Sequence, residues 1–305
     1  MKNTFTLMKR SVLVLLLLSP FLLRAQDPLL PVAPDTSYWT TSYNLGLNFN
    51  QASFSQNWRA GGVSSVAIGS LFLAKANYAR GPITFDNLAD LQYGLVRARG
   101  QDTRKTADQI LLDTKVGRRL TPRWNLFTSL NFISQFTEGY QYVTDAFGQE
   151  QALLISNFMA PGFLTSAWGA EYRPREYFQL RLSPFAPRLT FVTDPGVAAN
   201  VPNNYGVPVG ERVRYEWLAA QLFASDDRKI RENLDVKWRY LMFANYQTLA
   251  PRTIDHRIDA SLTAKITQYV NVSLTSILLY DVDQDAAVQY SQTLSLGLLL
   301  SRGNQ

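Results

Sequence analysis

Apolar and polar residues alternate with a period of two along most of the chain after residue 38. The alternation is clearest in five segments, which cover residues 43–50, 124–136, 233–246, 254–266 and 270–281. Successive side chains of a β-strand point to opposite faces of the sheet, so each segment has one apolar face and one polar face. The pattern predicts strands throughout and favours an all-β fold.

The predicted strands are long, and their polar face carries charges near mid-strand, such as Lys237 and Asp259. Strands of soluble proteins usually run about 5–6 residues, whereas about 9–11 residues cross a bilayer at a tilt. In a membrane barrel the apolar face meets lipid and the polar face meets a wet lumen. The alternation therefore favours a transmembrane barrel over a soluble sandwich.

Short and long connections alternate between the predicted strands. The short ones are expected at residues 79–82, 120–123, 173–176, 225–228 and 267–268, and the longer ones near residues 57–62, 99–104, 138–161, 194–211, 248–252 and 283–286. Outer-membrane barrels have even strand numbers, short periplasmic turns and longer external loops. The expected fold is thus a transmembrane antiparallel up-and-down β-barrel of about twelve strands, with ten or fourteen as acceptable counts.

The N-terminus is typical of a secretory signal peptide of 25 residues. Basic residues precede an apolar run over residues 11–23, which is too short to span a membrane, and the small residue Ala25 follows at the expected cleavage position. We expect cleavage after Ala25, a Pro-rich linker over residues 26–37 and the barrel over residues 38–302.

Composition narrows the classes of function. The chain has 30 Lys and Arg against 24 Asp and Glu, and four of the basic residues belong to the expected leader, so the remaining chain is nearly neutral. Nucleic-acid binding thereby loses its main support. The absence of Cys and the single His exclude disulfides, thiolate metal sites and two-histidine metal sites. No cofactor is expected.

An ordered set of short motifs runs along the predicted barrel. They are Asn57-Trp58-Arg59-Ala60-Gly61-Gly62, Asp86-Asn87, Tyr93-Gly94, Lys105-Thr106-Ala107-Asp108, Gly139-Tyr140, the run from Ser156 to Gly162, Ser183-Pro184, Asn245-Tyr246 and Tyr280-Asp281. In this order and spacing the chain resembles an uncharacterised family of secreted Bacteroidota proteins, a domain-of-unknown-function grouping regarded as outer-membrane β-barrel-like. The resemblance spans most of residues 40–300. It implies the same fold and location, and no reaction or ligand.

Charged residues mark the predicted lumen face of two neighbouring strands. One strand carries Asp235, Lys237 and Arg239, and the next carries Asp255, Arg257 and Asp259. Antiparallel neighbours bring such residues opposite or diagonal to one another. Other charges expected on the same interior are Asp86, Asp90, Asp113, Lys115, Glu171, Arg181 and Glu216. The interior is interpreted as an ionic network that fills and rigidifies the barrel, as a selective pore lining or ligand site, or as carboxylates for acid–base catalysis.

Two further features could carry chemistry. Asp281, Asp283 and Asp285 form a D-x-D-x-D run whose carboxylates could converge on Ca²⁺, although the Gly and Glu of an EF-hand loop are missing from their positions. A solvated acidic loop explains the same run. The single histidine, His256, lies in the apolar phase of its strand, which disfavours a Ser–His–Asp site.

The expected function is passive and not enzymatic: a small channel, a ligand-binding barrel or an envelope-structural barrel in the outer membrane of a Gram-negative bacterium. The expected partners are outer-membrane lipid, the barrel-assembly machinery and a small solute or ligand in the lumen, with no nucleic acid. Two alternatives stay open at this point. One is a soluble exported β-sandwich that binds glycans, and the other is an outer-membrane hydrolase.

Overall fold

A ring of antiparallel strands closes where the first strand of the chain pairs with the last. The computed structural model describes residues 38–55, 59 and 62–303, so the expected leader and linker lie outside the described residues. The strands are β1 (Trp39–Ala52), β2 (Ser65–Arg80), β3 (Ile83–Ala98), β4 (Arg104–Arg119), β5 (Trp124–Ser134), β6 (Gly139–Thr144), β7 (Glu150–Ser156), β8 (Gly162–Arg175), β9 (Phe178–Phe185), β10 (Arg188–Phe191), β11 (Val213–Glu216), β12 (Ala219–Arg231), β13 (Leu234–Asn245), β14 (Asp255–Lys265), β15 (Val270–Asp281) and β16 (Asp285–Gly303).

Consecutive strands of the ring are neighbours in the chain, as in an up-and-down barrel. Within the described residues the ring contains β1 to β5, β8, β9 and β12 to β16, which makes twelve strands. β6 and β7 form a separate hairpin between β5 and β8, while β10 and β11 extend β9 and β12. The predicted twelve-strand antiparallel barrel is therefore confirmed.

Two neighbouring strands of the ring are each interrupted once. β9 and β10 flank Ala186-Pro187, and β8 pairs with both of them in turn. β11 and β12 flank Trp217-Leu218, and the Ala186 N–H donates to Ala219 O at 2.8 Å, so the interruptions lie side by side. Pro187 has no N–H for the ladder. The inward-facing positions also shift by one residue across each break, which weakens the period-two pattern there.

The outer face of the barrel is apolar and exposed. Its large side chains include Leu45, Ile68, Leu130, Leu262 and Leu298, and Leu262 retains 41% of its surface exposed. A sandwich would bury these side chains between two sheets, whereas a membrane barrel turns them toward lipid. The alternative of a soluble β-sandwich is therefore wrong.

The five short connections lie together at one end of the barrel, called here the short-turn end, and the six long connections lie at the other, the long-loop end. At the short-turn end Gly81 adopts a φ of +56° in the tight β2–β3 turn, where a residue without Cβ is least strained. Two other short turns are stabilised by a threonine side chain. The Oγ1 atoms of Thr121 and Thr267 each accept hydrogen bonds from the backbone N–H groups two and three positions later.

One predicted turn is wrong. Residues 225–228 lie inside β12, and the chain turns at residues 232–233 instead. The Ser-Asp-Asp-Arg run resembles a turn because paired Asp residues are rare in strands. Here both carboxylates have cationic partners on opposite faces: Asp227 contacts Lys75 and Lys237 inside the barrel, while Asp226 bonds Arg228 outside.

The two longest loops pack against each other at the long-loop end. The loop between β10 and β11 contains a short helix, α1 (Pro195–Asn200). Buried side chains of this loop and of the β7–β8 connection form a small apolar cluster, which consists of Ala160, Val192, Val197, Val201 and Val207. Among the described residues no helix is long and apolar enough to cross a membrane.

Candidate functional site

The barrel interior carries the charged residues, and the register places all six residues of the two predicted triplets there. Within the two triplets one pair forms a salt bridge, Arg257 with Asp259, through a bidentate contact of 2.8–3.1 Å. The other four reach residues outside the triplets. Their partners are Lys265 for Asp235, Asp227 for Lys237, Asp90 for Arg239 and Arg188 for Asp255.

A buried ionic cluster fills the interior near β4 and β8. Glu171, which is 0% exposed, accepts hydrogen bonds from Lys115 and Arg181. Lys115 also contacts Asp86 at 2.9 Å, and Arg181 contacts Asp113 at 3.1 Å. Buried charges of opposite sign that satisfy one another avoid the large desolvation cost of an unpaired ion. This cluster joins β3, β4, β8 and β9 into one polar core.

Three side-chain contacts cross the lumen between opposite walls. Lys75 Nζ lies 2.8 Å from Asp227, Arg239 Nη2 lies 3.0 Å from Asp90, and Arg257 Nη2 lies 2.7 Å from Gln109. These contacts join β2 to β12, β3 to β13 and β4 to β14, and each pair of strands stands six positions apart in the ring of twelve. We call them the crossing contacts.

The crossing contacts form a staircase. The contact of Lys75 is nearest the short-turn end, that of Arg239 comes next and that of Arg257 is nearest the long-loop end. From one contact to the next, both partners lie on the following strand of the ring. A regular twelve-strand barrel with strands ~4.8 Å apart and tilted by ~40° is about 24 Å wide between backbones. The Lys75 and Asp227 side chains together with the contact between them span roughly half of that width, so the barrel is narrowed along these lines.

A second group of charges lies nearer the long-loop end. Arg188 contacts Asp255 at 2.7 Å, and its guanidinium lies 3.2 Å from the centroid of the Phe243 ring. Buried Glu216 accepts from Asn245 Nδ2 at 2.9 Å and pairs with Arg214. Paired carboxylate and guanidinium groups therefore line the interior as far as the mouth of the barrel.

The loop between β10 and β11 reaches across this mouth. Asn203 Nδ2 donates to Val282 O at 3.2 Å, and Arg214 pairs with Asp283 in the β15–β16 connection. A Cβ on Gly206 would meet these same Arg214 and Asp283 side chains within 2.9 Å, so the backbone passes close to the pair. The loop therefore covers the side of the mouth next to β15 and β16.

Local hydrogen bonds stabilise the long loops outside the barrel wall. Asp194 caps α1, and hydrogen bonds from Asn157 Nδ2 and from the Gly196 and Val197 N–H groups lower the pKa of its carboxyl group. Tyr205 donates to Ile155 O at 2.6 Å, and burial raises the pKa of its phenol to about 12. The cluster is thus pinned by one ionised carboxylate and one neutral phenol.

The D-x-D-x-D carboxylates point to separate partners. Asp281 accepts from the Asp283 N–H and from Gln284, Asp283 pairs with Arg214, and Asp285 accepts from the Ala287 N–H. Among the described residues no group of three or more His, Asp or Glu is arranged to hold a metal ion. These carboxylates stabilise the β15–β16 turn in this arrangement.

His256 lies on the outer face between two tyrosines. Its Nδ1 lies 2.8 Å from the Tyr240 hydroxyl, and its ring stacks on Tyr240 at 6.1 Å and faces Tyr280 at 6.4 Å. Aromatic and amphipathic side chains gather where a barrel meets the membrane–water interface. The histidine belongs to this outer belt, on the side of the wall away from the lumen charges.

Several lumen residues escape the sequence pattern. Lys75 stands alone in an apolar strand, Asp227 falls in the misassigned turn, and Gln109 is uncharged. Arg188 lies beyond the phase shift at Pro187. The phase of β2 could have identified Lys75, because it alternates with outward-facing Phe72 and Tyr78, but no local signal identifies its partner across the lumen.

The closed ring, its polar interior and its exposed apolar exterior define a transmembrane β-barrel. A family model matches residues 49–140, from the end of β1 to the start of β6, and the family is described as a protein of unknown function (DUF3078). The resemblance to an uncharacterised family is confirmed over this range. The Bacteroidota origin and the motifs beyond residue 140 stay predictions. No curated protein matches the chain.

Three solved structures that are similar to this chain are distant from it in sequence. An outer membrane channel from Pseudomonas putida F1 is 11% identical, with 92% of this chain and 100% of that chain covered and a TM-score of 0.39. The P. putida toluene transporter TodX is 10% identical, with 90% and 91% covered and a TM-score of 0.31. The translocator domain of the autotransporter NalP from Neisseria meningitidis is 10% identical, with 88% of each chain covered and a TM-score of 0.33. TM-scores below 0.5 at such identities carry no argument about function.

Proposed function

We propose that the protein is an outer-membrane β-barrel with a passive, envelope-structural role, whose lumen is closed to ions and solutes along the barrel axis. The observation that carries this proposal is the staircase of crossing contacts, in which Lys75, Arg239 and Arg257 reach the opposite wall. An eight-strand barrel is filled by side chains and one of 16–18 strands leaves an aqueous channel, so a barrel of intermediate size depends on its interior side chains.

The interior charges support closure better than selective conduction. A selective pore presents a ring of side chains with one sign of charge to the passing ion. Here the cations are neutralised in place: Arg181 by Asp113 and Glu171, and Arg188 by Asp255. Charges bound to one another hold the wall together and leave little net field along the axis.

We propose the same route of export and the same membrane environment as for other outer-membrane barrels. The leader is cleaved after Ala25, the barrel-assembly machinery inserts the barrel, and outer-membrane lipid surrounds the apolar face. Short turns face the periplasm and long loops face outward, as in other outer-membrane barrels. His256 takes no catalytic role, and the D-x-D-x-D run acts as a turn rather than as a cation site.

Planar-bilayer recording of the full mature protein tests closure. We expect no stable conductance steps from the unmodified barrel. Steps should emerge in the variant that shortens all three crossing cations, Lys75→Ala with Arg239→Ala and Arg257→Ala. The matched control is Lys265→Ala, which breaks a salt bridge between the neighbouring strands β13 and β14. Regular steps from the unmodified barrel would overturn the proposal, provided that heat-modifiable gel mobility shows it to be folded.

A further inference from the structure

The seam between β1 and β16 is paired along only part of its length. Pairing runs from Ser42–Gly303 at the short-turn end to Asn48–Gly297 and then stops. Both strands continue toward the long-loop end, where β1 stays paired with β2 up to Ala52 and β16 stays paired with β15. The facing edges of β1 and β16 are therefore not paired with each other above Asn48 and Gly297.

This gap lies at the level of the apolar outer face. Phe49 on one side and Leu294 and Leu296 on the other are 60%, 69% and 53% exposed and share the outward phase of their strands. Backbone N–H and C=O groups without partners are strongly unfavourable in hydrocarbon, which is why membrane barrels normally close every edge. A partly open seam at this depth therefore calls for a molecule that hydrogen-bonds and is also soluble in the membrane.

Small side chains line the inner side of the gap. Asn50, Ser291 and Thr293 are exposed. Large charged side chains lie on the walls farther around the ring, where the crossing contacts end. The inner side of the gap is therefore bordered by small, exposed side chains, and the Asn48 side chain packs over Gly297 at the edge nearer the short-turn end.

The adjoining interior wall combines apolar side chains with unsatisfied amides. Ile277 and Leu279 on β15 face inward beside the gap. The Nε2 atoms of Gln109 and Gln289 are buried and have no hydrogen-bond partner among the described residues. A buried amide N–H without an acceptor is costly, so both amides are suited to an acceptor that the protein itself does not supply.

The two amides belong to one neighbourhood. Arg257, Leu279 and Gln289 are direct neighbours across β14, β15 and β16, and Arg257 bonds the Oε1 of Gln109. An oxygen-rich group placed here would find amide donors close to a guanidinium. The mouth on this side is covered by the loop that contacts Val282 and Asp283, so the seam gives the more direct access.

We propose that a single-chain amphiphile from the surrounding leaflet binds through this seam. Its oxygen-bearing head accepts hydrogen bonds from Gln289 and Gln109 inside the barrel. Its hydrocarbon chain lies along Ile277 and Leu279 and leaves between Phe49 and Leu296. This inference depends on the proposed membrane location and not on closure of the axial path, because a barrel that conducts ions could hold the same amphiphile.

The first test measures whether the seam is open. The chain has no cysteine, so pairs can be introduced into the full protein without background. Leu45→Cys with Leu300→Cys occupies the paired region, and Phe49→Cys with Leu296→Cys occupies the in-register positions just beyond it. We expect oxidation to cross-link the first pair at least tenfold faster than the second. Equal rates would show a closed seam and overturn the proposal.

The second test uses a diazirine-bearing palmitic acid as the probe, with the full protein in lipid nanodiscs. Photolabelling followed by peptide mapping should place adducts on inward-facing Ile277 or Leu279. Thr293→Trp, which fills the inner side of the gap, should reduce these adducts at least tenfold, whereas the control Leu294→Trp on the lipid side should not. Thr293→Leu replaces the larger substitution if that variant lacks heat-modifiable mobility.

The amide donors are tested with the same probe. Gln289→Leu keeps the size of the side chain and removes the donor, so inward labelling should fall about three- to tenfold, as expected for one hydrogen bond. Adducts confined to outward residues such as Leu294, or equal inward labelling in the Thr293→Trp and unmodified proteins, would overturn the proposal. If adducts form only on outward residues and the barrel shows no conductance in planar bilayers, the amphiphile site is overturned and the proposed closed barrel still stands.

Discussion

Arg239 and Asp90 stand 149 positions apart in the chain, and their side chains meet across the lumen at 3.0 Å. Arg239 belongs to β13 and Asp90 to β3, on opposite walls of the ring. Asp90 is almost fully buried, so its carboxylate depends on this guanidinium and on the nearby Gln92 amide for compensation. The contact fixes the distance between two walls that share no backbone hydrogen bond.

A double-mutant cycle measures this coupling. Arg239→Ala and Asp90→Ala should each lower the free energy of unfolding, and the double variant should cost less than the sum, with a coupling of about 1–3 kcal/mol. Urea unfolding in detergent or lipid provides the measurement. Strictly additive effects would mean that the contact contributes nothing, since two independent sites behave in that way.

Lys115 is expected to be critical in the buried cluster. Lys115→Met leaves Glu171 with an uncompensated part of its charge in a site that excludes water, so stability should fall by about 3–5 kcal/mol. Adding Glu171→Gln removes that charge and should restore a large part of the loss. A Lys115→Met barrel as stable as the unmodified one in chemical unfolding would contradict the role of this cluster.

Arg257 should support the barrel thermally. It holds Asp259 on its own strand and Gln109 on the opposite wall, so Arg257→Gln should lower the unfolding temperature by several degrees. Lys265→Gln is the control, because Lys265 pairs with Asp235 on the adjacent strand and both side chains of that pair are partly exposed. An unchanged temperature for Arg257→Gln in scanning calorimetry or gel-shift melting would count against a structural network.

The Tyr205 phenol should titrate late. Because its pKa in the folded protein is about 12, above the usual value of about 10, its contribution to stability is complete below pH ~10 and is lost as the pH rises through 12. The difference in absorbance near 295 nm between the unmodified protein and Tyr205→Phe isolates this phenol. A difference curve with its midpoint near pH 10 would show that Tyr205 is solvated and that the loop cluster is loose.

Strand number and loop alternation could be read from the sequence because every strand of the barrel repeats one constraint. Lipid on one side and polar lumen on the other impose period two, and residues such as Leu262 and Asp259 follow it faithfully. The Asp226-Asp227 pair was mispredicted as a turn because its stability inside a strand depends in part on contacts with other strands. Each carboxylate has a cation on its own face, and one of them, Lys75, lies on a distant strand.

The contacts that distinguish this barrel could not be predicted in the same way. Lumen phase indicates that Arg239 and Arg257 point inward, but their partners Asp90 and Gln109 depend on strand tilt and on which walls approach each other. The partial pairing of β1 with β16 depends on register around the whole ring. Sequence patterns are local, whereas these features arise only when the ring is complete.

The pairing of β1 with β16 also bears on how the protein folds. Every other neighbouring pair in the ring joins strands that follow each other along the chain, with at most the β6–β7 hairpin or the β10 and β11 segments between them, whereas this pair joins the first strand to the last. Loop-closure entropy grows with the length of chain enclosed, so this pair has the least favourable closure of all and is expected to form last. A curved sheet that already has its side chains in place would then become a cylinder in a final step. Because the last junction is short, that step gains few hydrogen bonds and remains the most easily reversed.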